Sequence, residues 1–80
     1  MNLMITLLTK PYCTACKATY QTLDSRLVEY KTVDLTTDLE ALEDAKALGY
    51  LQAPVILVHK DGELVDHWSG FRPDKIIEWF

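Results

Sequence analysis

The chain's only two cysteines, Cys13 and Cys16, are separated by two residues and stand where one hydrophobic pattern gives way to another. Before them runs Leu3-Met4-Ile5-Thr6-Leu7-Leu8, almost wholly apolar and rich in strand formers. After them Cys16, Tyr20, Leu23 and Leu27 recur at spacings of four, three and four, which is one face of a helix. A strand that ends in Cys-x-x-Cys and opens a helix places one thiol at the positive end of the helix, where a thiolate is stabilised. The second thiol then lies within reach of the first. Cys13 falls off the apolar face, at the helix mouth, and Cys16 falls on it, so the pattern predicts one exposed and one sheltered thiol.

That asymmetry has chemical consequences. A free thiol, with a pKa of about 8.5, is mostly protonated at neutral pH and a poor nucleophile until something stabilises its anion. The helix N-terminus does so for Cys13, with Lys10 and Lys17 adding positive charge nearby. Cys13 is thus the expected nucleophile. Cys16 is the expected resolving thiol, which attacks the mixed disulfide formed by Cys13 and releases the reduced substrate. A purely structural bridge between the two would close too small a loop to constrain the unfolded chain appreciably. These residues predict a small dithiol–disulfide exchange protein.

The rest of the chain reads as alternating strands and helices. Residues 2–8 form a first strand whose continuous apolarity suits a strand covered on both faces. A first helix starts at Cys13 or Thr14 and runs to about Arg26, and Val28 to Asp34 alternates as a second strand. Strand, helix, strand implies a parallel crossover. Thr37, with Glu40 three residues on, matches a capping box for a second helix over Asp38 to Leu48. Its inward residues are expected to be Leu39, Leu42, Ala45 and Leu48, and Gly49 stands where a C-cap belongs. Pro54 introduces Val55-Ile56-Leu57-Val58, a central-strand run. The Asp61-Gly62 pair signals a hairpin back into a strand over Glu63 to Trp68. Pro73 suits the first position of a last helix, with Ile76, Ile77 and Phe80 inward. The order β-α-β-α-β-β-α makes an α/β protein with a four-stranded mixed sheet and three helices.

Eighty residues allow one domain, and a domain this short buries about 60–65% of its unfolded surface. A net charge of −4, with basic residues scattered, argues against nucleic acid or an anionic membrane as partner. The first residues show neither a leader pattern nor a span long enough for a bilayer, so a cytoplasmic, soluble protein is expected. In that compartment a lone cysteine pair is more often redox-active or metal-binding than structural. Nothing in the sequence demands a dimer, and a monomer is expected.

A Cys-x-x-Cys after a first strand, a proline opening a third, a hairpin and a final helix together resemble the thioredoxin fold in its short, glutaredoxin-sized form. The block Trp68-Ser69-Gly70-Phe71-Arg72-Pro73-Asp74 is similar to the signature of NrdH-type redoxins, as are Gly49-Tyr50 and Ala53-Pro54-Val55. The resemblance implies a redox-active disulfide Cys13–Cys16 and no bound cofactor. It also implies service to the large subunit of class Ib ribonucleotide reductase, with electrons from NADPH through thioredoxin reductase. It makes Pro54 a cis proline facing the thiols, with Ala53 presenting backbone to an extended substrate. Trp68, Gly70 and Phe71 are then expected in a recognition loop, although Trp68 and Phe71 read equally well as packing residues. Tyr12 is expected over the Cys13 sulfur or as a half-exposed loop aromatic. Thr14 and Ala15, between the cysteines, are smaller than the pair the family leads one to expect, and they bear on reduction potential and partner fit.

Two other functions fit parts of the pattern. A glutathione-dependent glutaredoxin would carry an acidic-tipped turn at the start of its last helix, where this chain has Gly70-Phe71-Arg72-Pro73. A metal or iron–sulfur module would have only Cys13 and Cys16 as ligands, too few for a closed site in one chain. His59 and His67 are spaced too far apart for the usual zinc pair and read as solvated hairpin residues; no metal is expected. The acidic run from Asp38 to Asp44 reads as a solvated helix face.

Overall fold

A computed structural model describes residues 2–80. The elements are β1 (Leu3–Thr9), α1 (Thr14–Ser25), β2 (Lys31–Asp34), α2 (Leu39–Ala47), β3 (Val55–Lys60), β4 (Glu63–Ser69) and α3 (Pro73–Trp79). They form a thioredoxin-type mixed sheet in the order β2-β1-β3-β4. β1 runs parallel to β2 and antiparallel to β3, and β3 runs antiparallel to β4.

The two central strands explain the continuous apolar runs. Alternate residues point to opposite faces, and both faces are covered. On one side Ile5, Leu7, Ile56, Val58 and Trp68 pack with Leu23 of α1 and Ile76 of α3. On the other, Leu8 and Val55 pack with Ala45 of α2. At the hairpin both Asp61 (φ 52°) and Gly62 (φ 86°) take the left-handed conformation that a tight two-residue turn requires. The same turn holds the N-terminal segment: the Asp61 amide donates to the Asn2 carbonyl, and the Asn2 amide donates to the Asp61 carboxylate.

Several local expectations are corrected. The helix-face spacing places Leu27 on the inward face of α1, but the helix ends at Ser25, one residue short of the expected Arg26, and Leu27 is 91% exposed with φ 58°. Its amide donates to the Asp24 carbonyl and that of Val28 to the Leu23 carbonyl, a Schellman closure achieved without glycine. The N-cap of α2 is Asp38, whose side chain accepts from the Ala41 amide. Thr37 instead turns its hydroxyl to the Asp34 carbonyl. Leu39 lies outside the core because α2 is a short helix that presents only a narrow stripe, with Ala45 its one buried residue. Ile77, adjacent to the buried Ile76, likewise points outward. Gly49 does serve as the C-cap glycine, with φ 89° and a Schellman pair of bonds from Gly49 and Tyr50.

Among the described residues no helix is long and apolar enough to cross a membrane.

Candidate active site

β1 delivers the chain to the sheet's edge of the site, and α1 starts within a few residues. Cys13 is the N-cap of α1, with extended backbone angles, and its Sγ accepts a hydrogen bond from the Cys16 amide at 3.1 Å. An N-cap residue ordinarily uses oxygen for this purpose; here sulfur satisfies one of the helix's free N–H groups. No acidic residue stands in the first turn of α1 to oppose negative charge on that sulfur. Cys16 lies one turn inside and is 1% exposed, whereas Cys13 is half-buried. The two are joined as a disulfide, with their Cα atoms 5.2 Å apart. Cys16 is therefore the sheltered member of the pair, as the helical spacing predicts, while Cys13 is half-buried rather than exposed.

Across from the sulfurs lies the loop before β3. The Ala53–Pro54 peptide is cis, and Pro54 is buried. The Ala53 carbonyl oxygen sits 3.8 Å from the Cys13 Sγ. In the disulfide that is a contact only; a protonated Cys13 thiol could donate across it. Two hydrogen bonds lock this loop to the end of β4: the Gly70 amide donates to the Pro54 carbonyl, and the Ser69 hydroxyl to the Gln52 carbonyl, each at 2.8 Å. Gly70, at φ 84°, turns the chain there in a conformation that favours glycine.

The remaining expected site residues separate into surface and core. Tyr12 is fully exposed, with φ 58°, and does not cover the Cys13 sulfur. Thr14 is exposed and Ala15 half-buried. Phe71 is 39% exposed beside Gly70. Trp68 is 4% exposed and belongs to the core, so the packing reading describes it. Its ring lies 5.4 Å from the Lys75 ammonium. Arg72 forms a two-pronged ion pair with Asp74 at 2.8 and 3.0 Å, which raises the arginine's pKa and lowers that of the carboxyl through the shared hydrogen bonds. Asp66, the nearby carboxylate of β4, accepts instead from Lys75 and Trp79.

The histidines are not solvated hairpin groups. His67 Nδ1 shares a 2.7 Å hydrogen bond with the Tyr50 hydroxyl, and His59 Nδ1 is buried with no hydrogen-bond partner among the described residues. Among the described residues no group of three or more His, Cys, Asp or Glu side chains is arranged to hold a metal ion.

Sequence reasoning missed a groove beside Ala53. About 380 Å³ in volume, it is walled by residues from β1's exit, the β2–α2 connection, α2 and the loop before β3. Ala53 is part of its wall, so the groove begins at the residue whose carbonyl touches the Cys13 sulfur.

The glutaredoxin family model matches residues 5–65. The chain is 38% identical over 72 residues to the glutaredoxin-like protein NrdH of Salmonella typhimurium, an alignment covering 90% of this chain and 83% of that protein. The structure is similar to that of the glutaredoxin-like NrdH-redoxin from Escherichia coli, with a TM-score of 0.85 and 32% identity, covering 96% of this chain and 95% of that one. It also shares its fold with Fasciola hepatica thioredoxin, at a TM-score of 0.77 and 24% identity, covering 98% of this chain and 77% of that one.

Proposed function

The chain belongs to the glutaredoxin family, in its NrdH-like branch, and we propose that it is the dithiol reductant of a class Ib ribonucleotide reductase, regenerated by thioredoxin reductase with electrons from NADPH. It is a glutaredoxin-type thiol–disulfide oxidoreductase whose cysteine pair stands in the oxidised form. In the reduced protein Cys13, as thiolate at the N-cap of α1, attacks one sulfur of the substrate disulfide. A mixed disulfide forms and the substrate's other sulfur leaves as thiolate. Cys16 then gives up its proton and attacks the Cys13 sulfur, releasing the second substrate sulfur. Two electrons pass to the substrate, which takes up two protons, and the Cys13–Cys16 bond is left for the reductase to reduce.

The observation that carries the choice of electron donor is at the start of α3. A glutathione-using site of this family would want a free carboxylate there. Here the first-turn carboxylate, Asp74, is occupied on both oxygens by Arg72. The Escherichia coli NrdH-redoxin, a glutaredoxin-like protein with a thioredoxin-like activity profile, supports the same reading. The test is insulin-disulfide reduction with two electron sources side by side: NADPH with thioredoxin reductase, and NADPH with glutathione and glutathione reductase. Turnover with the first is expected. Turnover with the glutathione system alone would overturn the reading in favour of a glutathione-dependent glutaredoxin.

A further inference from the structure

We propose that the groove beside Ala53 selects substrates by charge: it receives a stretch of the disulfide-bearing partner that carries carboxylates around an apolar side chain. This rests on the exchange reading above and specifies the segment that reading leaves open. The groove's interior is apolar, with Leu35, Leu42 and Ala45 among its walls, and its volume falls within the roughly 300–1,000 Å³ range typical of ligand sites. Among the described residues, the only charged ones lining it are Lys10 and Lys46. Neither forms a salt bridge among the described residues, where the ion pairs are those of Arg72 and Lys75.

The placement runs against the rest of the molecule. The protein carries a net charge of −4, and the opposite flank of α2 holds a second groove, about 200 Å³, with Asp38, Glu40 and Asp44 against one lysine, Lys31. One helix thus turns Glu40 and Asp44 to one side and Lys46 to the other, with Glu43 lining neither groove. An anionic segment is repelled from most of the surface and attracted to the stretch that leads from Lys46 to the disulfide. An apolar residue flanked by carboxylates fits the lining, and a cationic segment does not. Complementarity of this kind acts chiefly on the association rate and on the choice of partner.

The experiment uses the intact protein, reduced beforehand, in a single turnover that needs no reductase. Two synthetic peptides share the same internal Cys-x-x-Cys disulfide; one has Glu-Leu-Glu on each flank and the other Lys-Leu-Lys. The second-order rate of peptide reduction is followed by chromatography of the dithiol product. The glutamate peptide is expected to react on the order of tenfold faster at low salt, with the ratio shrinking as salt screens the charges. Lys46→Glu and Lys10→Glu are each expected to bring the ratio towards one. A change in Cys13 reactivity would scale both peptides alike and leave the ratio unmoved. Lys60→Glu, the same charge reversal at the far end of the sheet, is expected to leave the ratio near the wild-type value, which separates docking in the groove from overall charge. Equal rates in the wild-type protein, or a preference that survives both substitutions, would overturn the proposal while leaving the exchange chemistry standing. Failure to reduce either peptide would sink both.

Discussion

The backbone amide of Cys16 donates a hydrogen bond to the side-chain sulfur of Cys13 at 3.1 Å. One residue therefore serves the other twice, with its main chain holding the outer sulfur and its side chain forming the disulfide. Because the amide belongs to the backbone, it survives replacement of the inner side chain. Cys16→Ser should keep Cys13 reactive and accumulate a mixed disulfide with a protein or peptide disulfide, detected as a stable adduct by mass spectrometry. Cys13→Ser should form no adduct and reduce nothing. An adduct on the Cys13 variant, or normal turnover by the Cys16 variant, would reverse the assignment of roles.

Leu27 occupies a glycine's place. It sits at φ 58° after the end of α1, is 91% exposed, and makes the closing hydrogen bond through its backbone. A side chain in this conformation costs about 1–2 kcal/mol from the contact of Cβ with the following carbonyl. Glycine removes that cost but frees the unfolded chain, which returns part of the gain. Leu27→Gly should therefore stabilise the protein by up to about 1 kcal/mol in urea unfolding, with an unchanged slope. A loss of stability would mean that the exposed leucine makes contacts worth more than its backbone conformation costs.

These cases show what could be read from the residues. The sheet was legible because its two central strands are buried on both sides and leave uninterrupted apolar runs, and because Asp61-Gly62 and Gly49 are residues whose backbone preference matches a single kind of turn. Cys13 and Cys16 were legible as outer and inner because one helical repeat separates N-cap from interior. Leu27, Leu39 and Ile77 were not, since periodicity reports a face and cannot say where a short helix stops or how wide its contact stripe is. Asp38 and Thr37 are both good caps; the choice between them depends on the path of the preceding turn, which Asp34 fixes by accepting from the Thr36 amide and hydroxyl. The groove had no local signal because its wall is assembled from four separate segments.

Asp66 ties β4 to α3. Its carboxylate accepts from Lys75 Nζ at 2.7 Å and Trp79 Nε1 at 2.8 Å, and from the His67 amide. Burial alone would raise its pKa, but the hydrogen bonds from Lys75, Trp79 and His67, with the charge of Lys75, outweigh burial and lower it. A folded pKa below the unfolded value of about 3.9 contributes stability that is fully present above that value and is lost as pH falls through the folded one. Asp66→Asn should cost about 1–3 kcal/mol at pH 7. The gap from wild type should narrow once the pH drops below about 4. Urea midpoints at pH 7 and pH 3 check this. A gap that stays constant across that range would show that the ionised carboxylate contributes nothing to stability.

Tyr50 and His67 join the loop before β3 to β4 from a second direction. Their hydrogen bond, between the Tyr50 hydroxyl and His67 Nδ1, is 2.7 Å long, and the rings meet edge to face at a centroid distance of 5.6 Å. The same loop carries Ala53 and is bonded to β4 through Gly70 and Ser69, so it has three hydrogen-bonded ties to that strand's end. Tyr50→Phe removes the hydroxyl and keeps the ring contact, so the loss isolates the hydrogen bond. It should cost about 0.5–1.5 kcal/mol. In a double-mutant cycle with His67→Phe the second substitution should cost less once the first is made, giving a coupling energy of about 0.5–1.5 kcal/mol. Additive costs would mean that the two side chains stabilise the loop independently and that the short hydrogen bond makes no net contribution.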